Sequence, residues 1–352
     1  MDETSQRQPG RHVRRDHRKR WLAVALAVAV LIGGSYAAVR LWSGEQPSAA
    51  AGPGEPAAVT EGAPDPAGSG AASAGPSASA SATPRPSASP STKASTSPQA
   101  QPGGPAKTSA KKGVSVWNFG GLKAALTDVR ASWYYNWSAG PSKDAGTSAA
   151  FVPMIWGEKS VTDAELARAK KSGHVLLGFN EPDFASQANM TVERALELWP
   201  RLQATGLRLG SPAVAVGADK AGGWLDRFLS GAKARGYRVD FITLHWYGAD
   251  FSAAAVGHLK NYLQAVYQRY RMPIWVTEYA LIKWGANGAV YPSDAQQAAF
   301  VTGSTKLMQG LSYVERYAWF ALPWPTEGHQ GTALYRDGDS PTAAGQAYRA
   351  AG

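Results

Sequence analysis

Two glutamates in this chain have settings that point to chemistry. Glu181 lies in Gly178-Phe179-Asn180-Glu181-Pro182-Asp183, directly after the apolar run Val175-Leu176-Leu177, and Glu278 closes the run Ile274-Trp275-Val276-Thr277. Each run reads as a short buried strand, which puts both carboxylates at the carboxyl ends of strands. A carboxylate pair on that face of a parallel barrel can divide its labour. One group attacks an acetal carbon while the other, protonated, assists the departing oxygen, which is the chemistry of glycosidic bond cleavage. A single strand-end glutamate is as often a cap or an ion-pair partner, so the reading depends on the two acting together.

The elements around them support such a pairing. Eight apolar runs alternate with helical patterns: Val114–Asn118, Arg130–Trp137, Phe151–Trp156, His174–Phe179, Arg208–Pro212, Val239–Tyr247, Ile274–Glu278 and Arg316–Leu322. The runs are nearly continuous, as expected of strands covered on both faces. Thr162-Asp163-Ala164-Glu165 and Ser293-Asp294-Ala295-Gln296 read as capping boxes that open helices. Leu259, Tyr262, Leu263, Val266 and Tyr270 share one helical face, as do Trp224, Leu225, Phe228, Leu229 and Ala232. Pro200 should kink or shorten the helix over 191–202. The pattern predicts an α/β fold, a (β/α)8 TIM barrel over 113–352 with its first two crossovers short. An open doubly wound sheet would call for a Gly-rich phosphate loop after the first strand, and Phe119-Gly120-Gly121 matches one poorly. At about 30 residues per strand–helix unit, the 97 positions between Glu181 and Glu278 place them on the fourth and seventh strands.

The first 112 residues are different material. Residues 1–20 carry seven Lys/Arg against three Asp/Glu and precede 19 uncharged residues, 21–39, rich in Ala, Val and Leu. That length spans a hydrocarbon core of about 30 Å, and the basic flank orients it amino end inside. A transmembrane signal anchor is therefore expected, with the globular part extracellular at the cell membrane, or secreted if the segment is cleaved as a signal peptide. Residues 40–112 form a Pro/Ala/Ser/Gly-rich linker expected to be disordered, since it holds too little apolar surface to offset its ordering entropy. The net charge of +10 is concentrated at the amino end. Residues 113–352 carry 23 basic and 19 acidic groups, which argues against nucleic-acid binding. With no cysteine there is neither a disulfide nor a thiol nucleophile.

Asn180-Glu181-Pro182, His245-Trp246-Tyr247, Trp275-Val276-Thr277-Glu278-Tyr279 and Tyr317-Ala318-Trp319-Phe320 together resemble the clan A glycoside hydrolases. Within that clan the chain looks most like glycoside hydrolase family 128, β-1,3-glucanases that share the catalytic core of the plant-and-fungal "Asl1-like" domain. The resemblance spans about 113–352. It implies a (β/α)8 fold, retention of anomeric configuration and a β-glucan partner, with neither cofactor nor metal. Carried over residue by residue, Glu181 matches the general acid/base and Glu278 the nucleophile. Asn180 would bond the 2-hydroxyl of the reacting sugar, and His245 or Tyr247 would position the carboxylates. A retaining mechanism needs the two carboxyl groups about 5–5.5 Å apart.

Aromatic side chains stack on the C–H faces of sugars, so tryptophans near strand ends are candidate walls. Trp156 and Trp319 are the first choices, then Trp117 and Trp246, with Tyr279 beside the nucleophile. Trp133 and Tyr134 lie near strand ends too, Trp199, Trp224 and Trp275 read as core, and Trp324-Pro325-Thr326-Glu327-Gly328-His329 could add subsites. Asp183 reads as a cap for its own turn. The six histidines are scattered without the close pairs of a metal-dependent hydrolase, and no Gly-x-Ser-x-Gly elbow is present. A monomer is expected. The alternative function is a non-catalytic polysaccharide-binding barrel, which would have no need of both glutamates.

Overall fold

The computed structural model describes residues 109–352 apart from 286–287 and 324–330. The expected anchor at 21–39, nearly all of the linker and the Trp324–His329 loop lie outside the described residues. Among those described, no helix is long and apolar enough to cross a membrane.

In chain order the elements are β1 (Lys112–Ser115), α1 (Leu122–Asp128), β2 (Trp133–Tyr135), β3 (Ala150–Phe151), α2 (Asp163–Ser172), β4 (Val175–Leu176), α3 (Val192–Gln203), β5 (Arg208–Leu209), α4 (Trp224–Ala234), β6 (Ile242–Gly248), α5 (Ala255–Tyr270), β7 (Ile274–Leu281), β8 (Lys283–Gly285), β9 (Gly288–Val290), α6 (Asp294–Gly310), β10 (Val314–Trp319) and α7 (Ala343–Ala350). Six strands form a parallel sheet in the order β3-β2-β1-β10-β7-β6, and β4 pairs with β5, also in parallel. Parallel bridges Met154–Leu177 and Gly210–Phe241 tie the second sheet to both edges of the first. The result is a TIM-barrel-like α/β arrangement, all eight expected strands being present. The second crossover, β2 to β3, contains no helix.

Local differences from expectation have local causes. Thr162 and Ser293 cap α2 and α6, and only Ser293 forms the reciprocal box with Gln296. Helix α3 runs on to Gln203 with Pro200 inside its last turn, so the proline neither ends the helix early nor leaves more than three residues beyond it. Strands β6 and β7 extend past their expected ends, and the antiparallel hairpin β8–β9 is inserted after β7.

The strands bury both faces. Outward side chains such as Ile242, Leu244, Ile274, Val276, Tyr317 and Trp319 pack against α1 and α5–α7. Inward ones, Trp133, Tyr135, Met154, Leu177, Phe241, Trp275 and Ala318, fill the interior. Phe241 stacks on Trp275 at 4.4 Å, Trp133 lies 5.3 Å from Trp275, and the Arg316 guanidinium covers Trp275 at 4.5 Å. Trp133 is thus core, together with the expected Trp199 and Trp275.

Such large rings fit because glycine faces them. A Cβ added to Gly113 would stand 2.2 Å from the Trp133 ring. Gly113→Ala should therefore cost about 1–3 kcal/mol by overpacking. The unfolding midpoint in urea, compared with that of the unmodified chain, measures it.

Candidate active site

Strand alternation builds the site, with one interruption. Along β6, His245 and Tyr247 point inward while Leu244 and Trp246 point out, as a period of two requires. Along β7 the same rule would turn Glu278 outward with Ile274 and Val276. The register against β6 instead jumps from Leu244–Val276 to His245–Glu278, and against β10 from Tyr317–Val276 to Trp319–Tyr279. Seen from both neighbours, β7 carries one extra residue at Thr277. This bulge brings Glu278 to the interior and sends Tyr279 to the outer core.

Glu181 is delivered differently. Past β4, Asn180 bridges Ala213, and the Glu181 N–H donates to the Ala213 carbonyl at 2.7 Å. Glu181 itself adopts φ +43°, in the left-handed region that non-glycine residues seldom occupy. It thereby leaves the strand geometry, and its carboxylate reaches His245.

The two carboxyl groups meet over His245. Nδ1 of His245 lies 2.8 Å from Glu181 Oε1, and Nε2 lies 3.5 Å from Glu278 Oε1. One ligand-type atom from each of the three residues lies within 4.8 Å of the other two. Glu181 is 8% exposed and Glu278 5%. Three donors surround Glu278: Trp137 Nε1 at 2.8 Å and the Tyr135 hydroxyl at 3.1 Å on Oε1, and the Tyr247 hydroxyl at 2.5 Å on Oε2. The grouping of Glu181, His245 and Glu278 is compact enough for a cation, and protein donors serve both oxygens of Glu278 and Oε1 of Glu181.

The environments of the two glutamates differ. Glu181 has the single side-chain partner His245, and burial pushes its carboxyl above the ordinary range, the imidazole pulling the other way. Burial would lower the His245 imidazole, but the charges of Glu278, Glu181 and Asp183 outweigh it and move it up. Burial first, then the Glu278 charge, drives the Tyr135 and Tyr247 hydroxyls well above the usual tyrosine value, so both keep their protons and donate.

The expected site residues divide accordingly. Glu181, His245, Tyr247 and Glu278 come together, and Asn180 is buried beside Glu181 in the chain. Asn180 Nδ2 donates to Gln187 at 3.3 Å, while its Oδ1 is buried with no hydrogen-bond partner among the described residues. Trp117 joins the rim, stacking on Trp137 at 6.3 Å and meeting Phe320 edge-on at 6.4 Å. Half-buried Trp156 packs against the interior cluster, and its carbonyl accepts the Asn180 N–H.

Three expected residues do not reach the site. Trp319 is fully buried on the outer face, donating to the Thr332 carbonyl and packing 5.0 Å from Tyr279. Tyr279 is buried there because of the bulge, and Trp246 stacks on Phe300 at 5.6 Å. Asp183 reaches beyond its own turn to the amides of Ala215 and Val216. Conversely, Tyr135, Trp137, Phe320 and Trp284 were absent from the sequence-derived set. Phe320 and Trp284 flank Tyr247 at 5.6 and 6.4 Å. The period of two would have found Tyr135, two residues beyond Trp133 on the same inward face, whereas Trp137 lies past the strand with φ +56°, where that period no longer holds.

Comparison with known proteins identifies the family. Residues 116–348 match the family model described as glycosyl hydrolase catalytic core. The alkali-sensitive linkage protein 1 of Schizosaccharomyces pombe is 32% identical over 198 residues, 54% of this chain and 34% of that protein, so the chain spans about a third of that relative. A family 128, subgroup I endo-β-1,3-glucanase from Amycolatopsis mediterranei, solved with laminaritriose and laminaribiose, is 61% identical with a TM-score of 0.66, over 69% of this chain and 100% of that one. The subgroup II endo-β-1,3-glucanase from Sorangium cellulosum is 28% identical with a TM-score of 0.57, over 69% and 98% of the two chains. The chain therefore belongs to the glycosyl hydrolase catalytic core family and, within it, to glycoside hydrolase family 128.

Proposed function

We propose that this glycoside hydrolase cleaves β-1,3-glucan with retention of configuration on a closed (β/α)8 barrel, Glu278 acting as nucleophile and Glu181 as general acid/base. The observation that carries the division of roles is the asymmetry of the pair. Glu278 is held by three donors, an arrangement that fixes an attacking carboxylate. Glu181 has only His245 and sits where burial favours the protonated acid. An oxygen-to-oxygen spacing within 4.8 Å leaves little room for a water between the carboxylates, as inversion would require.

In the first step a Glu278 oxygen attacks the anomeric carbon, the glycosidic C–O bond breaks, and Glu181 protonates the departing glucan oxygen. In the second, Glu181, now a carboxylate, takes a proton from water as that water displaces the Glu278 ester. Each step inverts, so configuration is retained overall. Asn180 is the proposed partner of the sugar 2-hydroxyl, a role drawn from the family resemblance, and Trp117, Trp137 and Phe320 offer ring faces or edges to the chain of sugars.

The substrate reading draws on the Amycolatopsis enzyme, whose structures hold laminari-oligosaccharides. The two glutamates substituted in those structures are 97 positions apart, the separation of Glu181 and Glu278. That 61% identical enzyme is an endo-glucanase, and endo action is the corresponding proposal here. We further propose that residues 21–39 tether the catalytic unit at the outer face of the cell membrane, on the strength of their length and basic flank.

Three outcomes test these statements. Glu181→Gln and Glu278→Gln should each lower reducing-end release from laminarin by about 10³-fold or more while leaving the circular dichroism unchanged. Near-normal turnover in either would remove its assignment. Because the working form needs a proton on Glu181, kcat/KM should fall as pH rises through the raised Glu181 value, leaving an alkaline limb above the ordinary carboxylate range. A limb within that range would contradict the acid role. In a detergent-phase partition the native protein should follow the detergent phase, and recovery in the aqueous phase would show the tether to be wrong.

A further inference from the structure

Glu181 is held in a left-handed backbone conformation, φ +43°, and the structure shows two ties between its turn and the segment after β5. Before the turn apex, Asn180 bridges Ala213, whose carbonyl accepts the Glu181 N–H. After it, the Asp183 carboxylate accepts the Ala215 N–H through Oδ1 at 2.9 Å and the Val216 N–H through Oδ2 at 3.4 Å. Phe184 and Met190 close the same turn by donating to the carbonyls of Glu181 and Pro182. Each carboxylate oxygen of Asp183 thus serves one amide of a segment about thirty residues away, and Glu181 lies between the two ties.

We propose that Asp183 is a positioning residue for the general acid: it pins the turn carrying Glu181 to the 213–216 segment. The proposal rests on the acid role argued above. A non-glycine residue in this conformation is strained and persists only where its surroundings enforce it. Among the side-chain hydrogen bonds of the described residues, those of Asp183 are the ones that join this turn to the 213–216 segment. The electrostatic part has a definite sign. Burial and the Glu278 charge raise the Glu181 carboxyl, and the Asp183 charge, which also acts on His245 and Tyr262, adds to that rise. Burial raises the Asp183 carboxyl and the backbone amides oppose that rise.

Asp183→Asn separates these effects from a general loss of structure. An amide is nearly isosteric but can accept only one of the two N–H bonds, and it places an NH2 group against the other amide. In the full chain, kcat on laminarin should fall about 10- to 100-fold, the scale of a misplaced catalytic group, with KM within about twofold. With a negative charge removed, Glu181 loses its proton more easily, so the alkaline limb of kcat/KM should move to lower pH. A dinitrophenyl β-laminaribioside, whose leaving group needs no acid, should recover most of the loss in kcat/KM. Asp183→Glu retains the charge but displaces the amide contacts. It should lower kcat while leaving the limb in place.

Several results would overturn the proposal. One is D183N with unchanged kcat and an unmoved limb. Another is an equal loss on both substrates with no movement of the limb, and a third is loss of the fold in both variants, since a residue that only aims Glu181 leaves the barrel standing. If Glu181→Gln is inactive while D183N behaves as the unmodified chain, the positioning role fails and the acid role survives. If Glu181→Gln stays active, the acid role itself has failed.

Discussion

Two carboxyl groups buried within 4.8 Å of one another are the constraint around which this TIM-barrel-like fold is arranged. Were both ionised, their repulsion would reach about 3 kcal/mol at an effective dielectric of about 20, and desolvation would add to it. The interior answers with four side chains. His245 lies between the two groups, and Tyr135, Trp137 and Tyr247 give their protons to Glu278. These groups come from β2, from the loop after it and from β6, around carboxylates on β7 and beyond β4. No hairpin or single βαβ unit contains them all, so the charge balance exists only when the strands come together.

The aromatic interior follows from the same requirement. Hydrogen-bond donors hold a carboxylate in place only if they cannot move themselves, and close packing is what immobilises them. Tyr135 rests on Trp133 at 6.1 Å and Trp137 on Tyr135 at 5.1 Å, while Trp133, Trp275 and Phe241 fill the layer beneath. At the opposite end from the site, Arg316 covers Trp275, and Trp275 Nε1 donates to Glu315, itself paired with Arg208. The polar edges of the interior rings are therefore satisfied at both ends of the stack, as buried polar groups require.

Much of this was legible in the chain. Eight apolar runs of strand length, their spacing and the positions of two glutamates were sufficient for the fold and for the carboxylate pair. His245 and Tyr247 follow from ordinary alternation on β6. Trp246 was misplaced because adjacency in sequence was read as adjacency in space, although neighbours on a strand point to opposite faces. Trp319 shares that error, and its inward neighbour is Ala318. Tyr279 is a different case. Strict alternation from Trp275 would have put it inward, and only the extra residue at Thr277 exchanges it for Glu278.

The sequence alone determined which residue types are available, how far apart they lie and which runs must be buried, because hydrophobic period and length are local properties. It also determined that no thiol chemistry is possible. Tertiary structure decided what depends on neighbours in space: the β7 bulge, set by register against β6 and β10; the left-handed turn at Glu181, enforced from the segment after β5; and the donors that distinguish one glutamate from the other. A bulge or a strained dihedral costs free energy where it occurs, and the contacts that offset it come from residues distant in the chain. No window of sequence around Glu181 or Glu278 contains those contacts.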